Sequence, residues 1–149
     1  MIKTYRGCLG DGGQDKIRLS TKKGKIGYRI LRFDLFPNRP GGTSHVESVM
    51  QIFKIKQTTL YTANSVVDFT DGNLLAAAYL TDDVNNASGP LQVVMFEQEV
   101  FNQDVYITHT DEAGTAKCNY YLELESFTLT DNAAALSTLR DIRLNPEPI

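Results

Sequence analysis

The segment KIGYRILRFDLF, residues 25–36, does most to limit what this chain can fold into. Ile26, Tyr28 and Ile30 recur at every second position, the period of a half-buried strand. From Leu31 the register changes, and Leu31, Phe33 and Leu35 hold the apolar side. No helical period of 3.6 fits, so the segment is predicted to be a strand with a bulge at the switch, or one buried on both faces. The chain then repeats this grammar of short apolar stretches closed by turn-forming residues.

FPNRPGGTS is a loop by composition, and TDGN carries a turn signal. In VESVMQIFKIKQTTLY, Val49, Phe53 and Ile55 share a face, and the β-branched and aromatic content favours strand. KIRLS, SVVDF, LQVVMFE, DVYITHT and NYYLELESFTLT read as further strands. LLAAAYL has helix-forming residues, but seven residues tightly bounded by DGN and TDDVNNASGP favour a strand. In the last strand Tyr120, Leu122 and Leu124 share one face, and Glu123 and Glu125 the other.

One segment is predicted helical. TDNAAALSTLRDIR opens with Thr130 and Asp131 as caps and closes with Arg140 and Arg143, the polarity a helix dipole favours. Leu136 and Leu139 are its expected packing face. The prolines at 146 and 148 stop it, so the C-terminus is expected to run extended. The expected fold is all-β: an antiparallel β-sandwich of jelly-roll type, with one short C-terminal helix and an extended tail. A single sandwich domain at 1–142 and a tail at 143–149 is the expected division, and 149 residues suffice for one core.

Composition bounds the function. A hydrophobic share of 42% fits a globular chain, and no apolar run approaches the roughly 18 residues of a membrane helix. The start MIKTYRGCLGDGG lacks the apolar core of a secretory signal, so export by that route is not expected. Cys8 and Cys118 have no CxxC or nearby histidine. They could form a disulfide, but two buried thiols in a reducing compartment is the preferred reading. Charge is divided along the chain: residues 1–56 sum to +8 and residues 57–149 to −11. Such polarity can promote head-to-tail contact between copies, or contact with an acidic partner.

The densest chemistry is FEQEVFNQDVYITHTDEAG, residues 96–114, with Glu97, Glu99, Asp104, His109, Asp111 and Glu112. Val105, Ile107 and His109 share a strand face, and FNQD reads as a tight turn between two strands. Glu97 and Glu99 have the parity of Val93 and Met95, placing them where that strand leaves the core. The carboxylates thus fall on strand ends and turns, without the paired geometry of a glycosidase.

GDGGQD lacks both the GxxxxGK[ST] spacing and the helix of a phosphate loop. Asp11 and Asp15 do not follow the EF-hand pattern, so the stretch reads as a flexible hairpin loop. His45 and His109 have no metal-ligand spacing, and no GxSxG elbow supports a triad. The bases of KIRLSTKKGKIGYR interleave with Tyr28, yet an acidic pI near 5.3 disfavours a nucleic-acid binder. No catalytic, cofactor-binding or metal residue is assigned, no cofactor is expected, and the chain reads as non-enzymatic, working through its surfaces.

MIKTYRG, GGQDKIRLST, GYRILRFDL, VVDFTDGNLLAAAYL, FNQDVYITHTD and NYYLELESFTL together resemble small structural (virion) proteins of marine tailed phages, especially cyanophages. The resemblance spans nearly the whole chain and implies a non-enzymatic bacteriophage virion structural protein, made in the host cytoplasm and incorporated into the virion. A capsid-associated or decoration role is favoured. The implied partners are copies of itself and a major capsid or tail protein, held by a sheet edge or by LRDIRLNPEPI, with no membrane and no nucleic acid. The alternative is a tail-associated carbohydrate- or receptor-binding sandwich, using tyrosines 61, 79, 106, 120 and 121 as sugar platforms.

Overall fold

The computed structural model describes residues 1–42, 45–58, 66–83 and 89–144. Eight strands precede one helix: β1 (Ile2–Leu9), β2 (Gln14–Ile17), β3 (Ile26–Pro37), β4 (Val46–Phe53), β5 (Leu74–Asp82), β6 (Leu91–Phe96), β7 (Val105–Asp111), β8 (Cys118–Thr128) and α1 (Asp131–Leu144). They form two antiparallel sheets, one of order β1-β8-β3 and one of order β2-β7-β4-β5-β6. Inward side chains of both sheets meet in one core, with Ile30, Phe33, Leu122 and Leu124 opposite Met50, Ile52, Leu75 and Ile107. Truncating any of these to alanine costs about 2–5 kcal/mol, because the space left behind cannot collapse fully.

The register change in residues 25–36 is real. The β3–β8 pairing slips between Ile30 and Arg32, so Leu31 is the extra residue of a bulge. Tyr28 and Ile30 before it, and Phe33 and Leu35 after it, all point into the core. One extra residue turns two opposed alternations into a single buried face. The expected faces of β7 and β8 also hold, with Val105, Ile107 and His109, and Tyr120, Leu122 and Leu124, buried.

Several expectations are corrected. Residues 2–9, not expected as a strand, form β1; their pattern is polar because the outer face is solvated, and β1 pairs with β8 along its whole length. SVVDF is not a strand: Val66 and Val67 are exposed irregular chain, and Ser65 lies outside the described residues. GDGGQD is not a hairpin loop, since β1 lies in one sheet and β2 in the other, and the basic segment after it crosses back from β2 to β3. FNQD likewise joins no hairpin, because β6 pairs with β5 while β7 pairs with β2 and β4. Among the described strands only β4–β5 and β5–β6 join hydrogen-bonded neighbours in sequence.

One face is also inverted: on β6, Val94 and Phe96 pack on the core, whereas Val93 and Met95 point outward. On β4, Met50 and Ile52 enter the core, while Val49 and Phe53 share the opposite face as expected and are buried there. There the β4–β5 connection crosses the sheet: Gln51 Nε2 donates to Val66 O at 3.3 Å, and Gln57 N to Gln14 Oε1 at 2.9 Å.

The helix is capped as expected, Thr130 Oγ1 accepting from Ala133 N at 3.2 Å. Its packing face differs: Ala134 and Ser137 are buried, while Leu136 and Leu139 are 69% and 59% exposed. Asn102, fully buried, holds that small-residue side. Its Nδ2 donates to Thr138 Oγ1 (2.7 Å), Gly24 O (2.9 Å) and Ala134 O (3.3 Å), a polar clamp that admits no bulky leucine. The helix reaches Leu144, so residues 143 and 144 of the expected extended tail at 143–149 are helical, and 145–149 lie outside the described residues.

Candidate functional site

The carboxylates of residues 96–114 separate on folding. Glu97 is exposed where β6 ends. Glu99 Oε1 accepts from the buried ammonium of Lys54 at 2.5 Å. Asp104 Oδ1 accepts from the amides of Leu19 (2.7 Å) and Ser20 (2.8 Å), with Lys16 Nζ 3.5 Å from its other oxygen. Burial works against the Asp104 charge, but the two amides and Lys16 outweigh it and hold the carboxyl below its ordinary value. Glu99 and Asp104 fasten different connections and Glu97 faces solvent, so they do not form a common centre.

At the other end of the sandwich, His109 is fully buried under the β1–β2 turn. Gly10 O lies 3.0 Å from Nδ1, and a carbonyl only accepts, so the Nδ1 proton sits there. Nε2 then accepts from the hydroxyl of Ser48 at 3.1 Å. The backbone seals the site: Gly12 N donates to His109 O (2.9 Å) and His109 N to Gly13 O (3.0 Å). Gly12 needs φ +77°, a conformation only glycine adopts cheaply. Burial pushes the His109 pKa down, partly opposed by its bond to Gly10 and by the nearby Asp111 and Asp11.

Asp111 and Asp11 complete this seal. Asp111 accepts from the amides of Glu47 (3.1 Å), Ala113 (3.1 Å) and Ala116 (2.9 Å), and its own amide donates to Asp11 Oδ1 at 2.9 Å. Asp15 instead accepts from Tyr120 Oη at 2.8 Å. Asp11 and Asp15 therefore serve different partners, and the GDGGQD stretch is a fastened turn rather than a flexible loop. A serine hydroxyl donating to an imidazole is one element of a nucleophilic site. Here both side chains are closed to solvent, and a carbonyl occupies the third position. Ser48 has no motif around it; only the β4–β7 pairing, which sets it near His109, brings it to light.

The other candidates disperse. His45 is exposed, with Nε2 3.1 Å from Glu47 and Nδ1 3.8 Å from Asp83. It lines an open hollow of about 550 Å³ with Arg39, Asp111 and Lys117. Cys8 pairs in register with Asn119 and Leu9 with Cys118, so the two thiols lie on opposite faces of adjacent strands. Both are free, and Cys8 is exposed rather than buried as expected. Burial pushes the Cys118 thiol up to about 11, which makes it inert at neutral pH. Among the described residues no group of three His, Cys, Asp or Glu could hold a metal ion.

The tyrosines are largely occupied. Tyr120 is buried, Lys16 stands over Tyr106 at 5.9 Å, and Arg32 over Tyr121 at 5.5 Å. Tyr79 is half-buried between Val49 and Val93, and Tyr61 lies outside the described residues. In the basic segment, Lys16 pairs with Asp104 and Lys25 Nζ with Asp131 at 2.8 Å, leaving Arg18, Lys22 and Lys23 extended into solvent.

The surface carries the more telling feature. β6 is an edge strand whose outward residues Leu91, Val93 and Met95 are 57%, 50% and 58% exposed. Phe69, also exposed, shares a hollow with Met95 and extends the patch. On the opposite side of the sandwich, Leu136 and Leu139 form a groove of about 590 Å³ with Val100, Phe127 and Leu129. Among the described residues no helix is long and apolar enough to cross a membrane. No protein-family model and no curated protein matches the chain.

Proposed function

We propose that this chain is a non-enzymatic structural protein of a phage particle, capsid-associated and acting through contacts with copies of itself and with a major capsid or tail protein. The observation that carries the reading is the exposed apolar row Leu91, Val93 and Met95 on the edge strand β6. A monomer with no partner gains nothing from such a row, and an open apolar edge invites pairing. The resemblance to cyanophage virion proteins supports the same reading. So does the way Glu99, Asp104, His109 and Asp111 are spent on holding connections together.

We also infer a jelly-roll arrangement. Its support is the nested pairing of β1 with β8, β2 with β7, and β4 with β5, the order expected when one long antiparallel ribbon rolls up. The remaining nested pair, β3 with β6, is represented by Gln92 Oε1 accepting from Leu35 N at 2.8 Å. β6 departs from the ideal by staying hydrogen-bonded to β5 at the sheet edge. Jelly rolls serve in capsids and lectins alike, so the function rests on the surface and not on the fold.

A second reading, a tail-associated carbohydrate- or receptor-binding module, draws on a shallow hollow of about 780 Å³ on the outer face of the three-stranded sheet. Arg6, Arg32, Phe36 and Tyr121 line it. A glycan array decides that reading, with reproducible binding lost in Tyr121→Ala as the supporting result. The leading reading is tested by quantitative mass spectrometry of gradient-purified particles of the encoding phage. Peptides of this chain at many copies per particle are expected, and their confinement to the soluble lysate would overturn it.

A further inference from the structure

The geometry points to a two-fold pairing between copies, in which the free edge of β6 in one chain lies antiparallel to the same edge of another; this rests on the structural-subunit reading above. The described sheets end in β1 and β3 on one side of the core and in β2 and β6 on the other. All of these edges but β6 are guarded. β1 carries Lys3 and Arg6, and the short β2 carries Asp15 and Lys16. β3 carries Arg29, Arg32 and Asp34, and its backbone is already engaged. Tyr28 and Phe101 exchange hydrogen bonds of 2.8 and 2.9 Å, and Gln92 Oε1 accepts from Leu35 N. Charge, short length and covered backbone are what keep sheet edges from pairing. β6, LQVVMF, has no charge, no proline and no register shift, and among the described residues no strand pairs with its far side.

The backbone fixes which groups that edge offers. Glu97 N donates to Leu75 O at 2.9 Å, and the two stand in direct register, one step beyond the Phe96–Ala76 pair. Hydrogen-bonded pairs alternate along an antiparallel ladder, so Leu91, Val93 and Met95 bond to β5, while Gln92, Val94 and Phe96 aim their N–H and C=O groups away from it. A second β6 placed about a two-fold axis at Val93 matches both sets. Gln92 and Val94 of one copy exchange hydrogen bonds with Val94 and Gln92 of the other. On the outer face Leu91 then meets Met95 and Val93 meets Val93, which makes one continuous apolar row. Glu97 falls opposite Gly89, so no charge meets its own copy, whereas an axis at Val94 would set Leu91 against Glu97. The strand is thus complementary to itself, and a charged partner strand would find no opposite charge on it. Such a pairing uses up both free edges and closes as a dimer instead of running on. It carries no charge, so it should persist in salt that screens charge-driven association.

The test uses the intact chain and the variants V93K and V93E, each checked for the wild-type circular dichroism; Val93 points outward, so neither change enters the core. Association is read by light scattering over a protein dilution series at about 0.15 M salt. The wild type is expected to dimerise, and each variant alone to dimerise about tenfold or more weakly, because like charges then stand directly opposite each other. An equal mixture of V93K and V93E is expected to recover the dimer, since lysine then faces glutamate. Misfolding cannot produce that rescue. Wild-type association that neither variant weakens, or weakening that mixing does not repair, would overturn the two-fold pairing while leaving the particle-association reading to its own test. A wild type that stays monomeric at every concentration would overturn it as well.

Discussion

At the scale of single residues, the chain spends its chemically capable groups on holding connections in place. Glu99 shows the consequence most directly. Lys54 is almost wholly enclosed, and Glu99 supplies its carboxylate at 2.5 Å. Glu99→Gln should therefore cost about 3 kcal/mol in chemical denaturation, because it removes the carboxylate that the buried ammonium is paired with. Lys54→Met together with Glu99→Gln should recover most of that loss; a double variant no more stable than the single would contradict the pairing. His109 makes a pH prediction. Its folded pKa lies below the ordinary 6.5, so below pH 6.5 the unfolded ring takes up a proton that the folded ring refuses. Stability should fall as pH drops from 6.5 toward the folded pKa, by at most about 1.4 kcal/mol per pH unit, and this ring adds no slope above 6.5. In His109→Gln that part of the slope should vanish.

At the scale of elements, legibility followed the contrast between faces. β3, β7 and β8 have one apolar and one polar side, and their faces could be read directly, the bulge at Leu31 included. β6 is apolar on both sides, so period two does not say which side enters the core, and Val93 and Met95, expected inward, face out. β1 escapes the pattern because its inward positions are Lys3, Tyr5, Gly7 and Leu9, of which only Leu9 is an aliphatic side chain buried outright. A Cβ on Gly7 would come within 2.8 Å of the Tyr120 ring. The helix face was misread because Asn102, a residue with no helical signature, decides it from a distant connection. Asn102→Ala should release α1 from the sandwich. Hydrogen exchange across residues 131–144 should accelerate while β7 and β8 keep their protection, and unchanged protection of the helix would refute the clamp.

At the scale of the whole molecule, sheet membership was the least legible property. Every described connection except β4–β5 and β5–β6 crosses from one sheet to the other or skips a neighbour, and nothing local in GDGGQD, FNQD or the basic segment announces that. The candidate surface was hidden for the same reason. Leu91, Val93 and Met95 look like core in the sequence and become an exposed row only when Val94 and Phe96 take the core side. The central claim is that this chain works by assembling through such surfaces. Static light scattering on the intact protein tests it most directly, with salt raised from about 50 mM to about 1 M. The expected result is a mass well above the 16.6 kDa of one chain at low salt, falling toward it as the opposite charges of the two chain halves are screened. A mass of 16.6 kDa at every salt and protein concentration would contradict it.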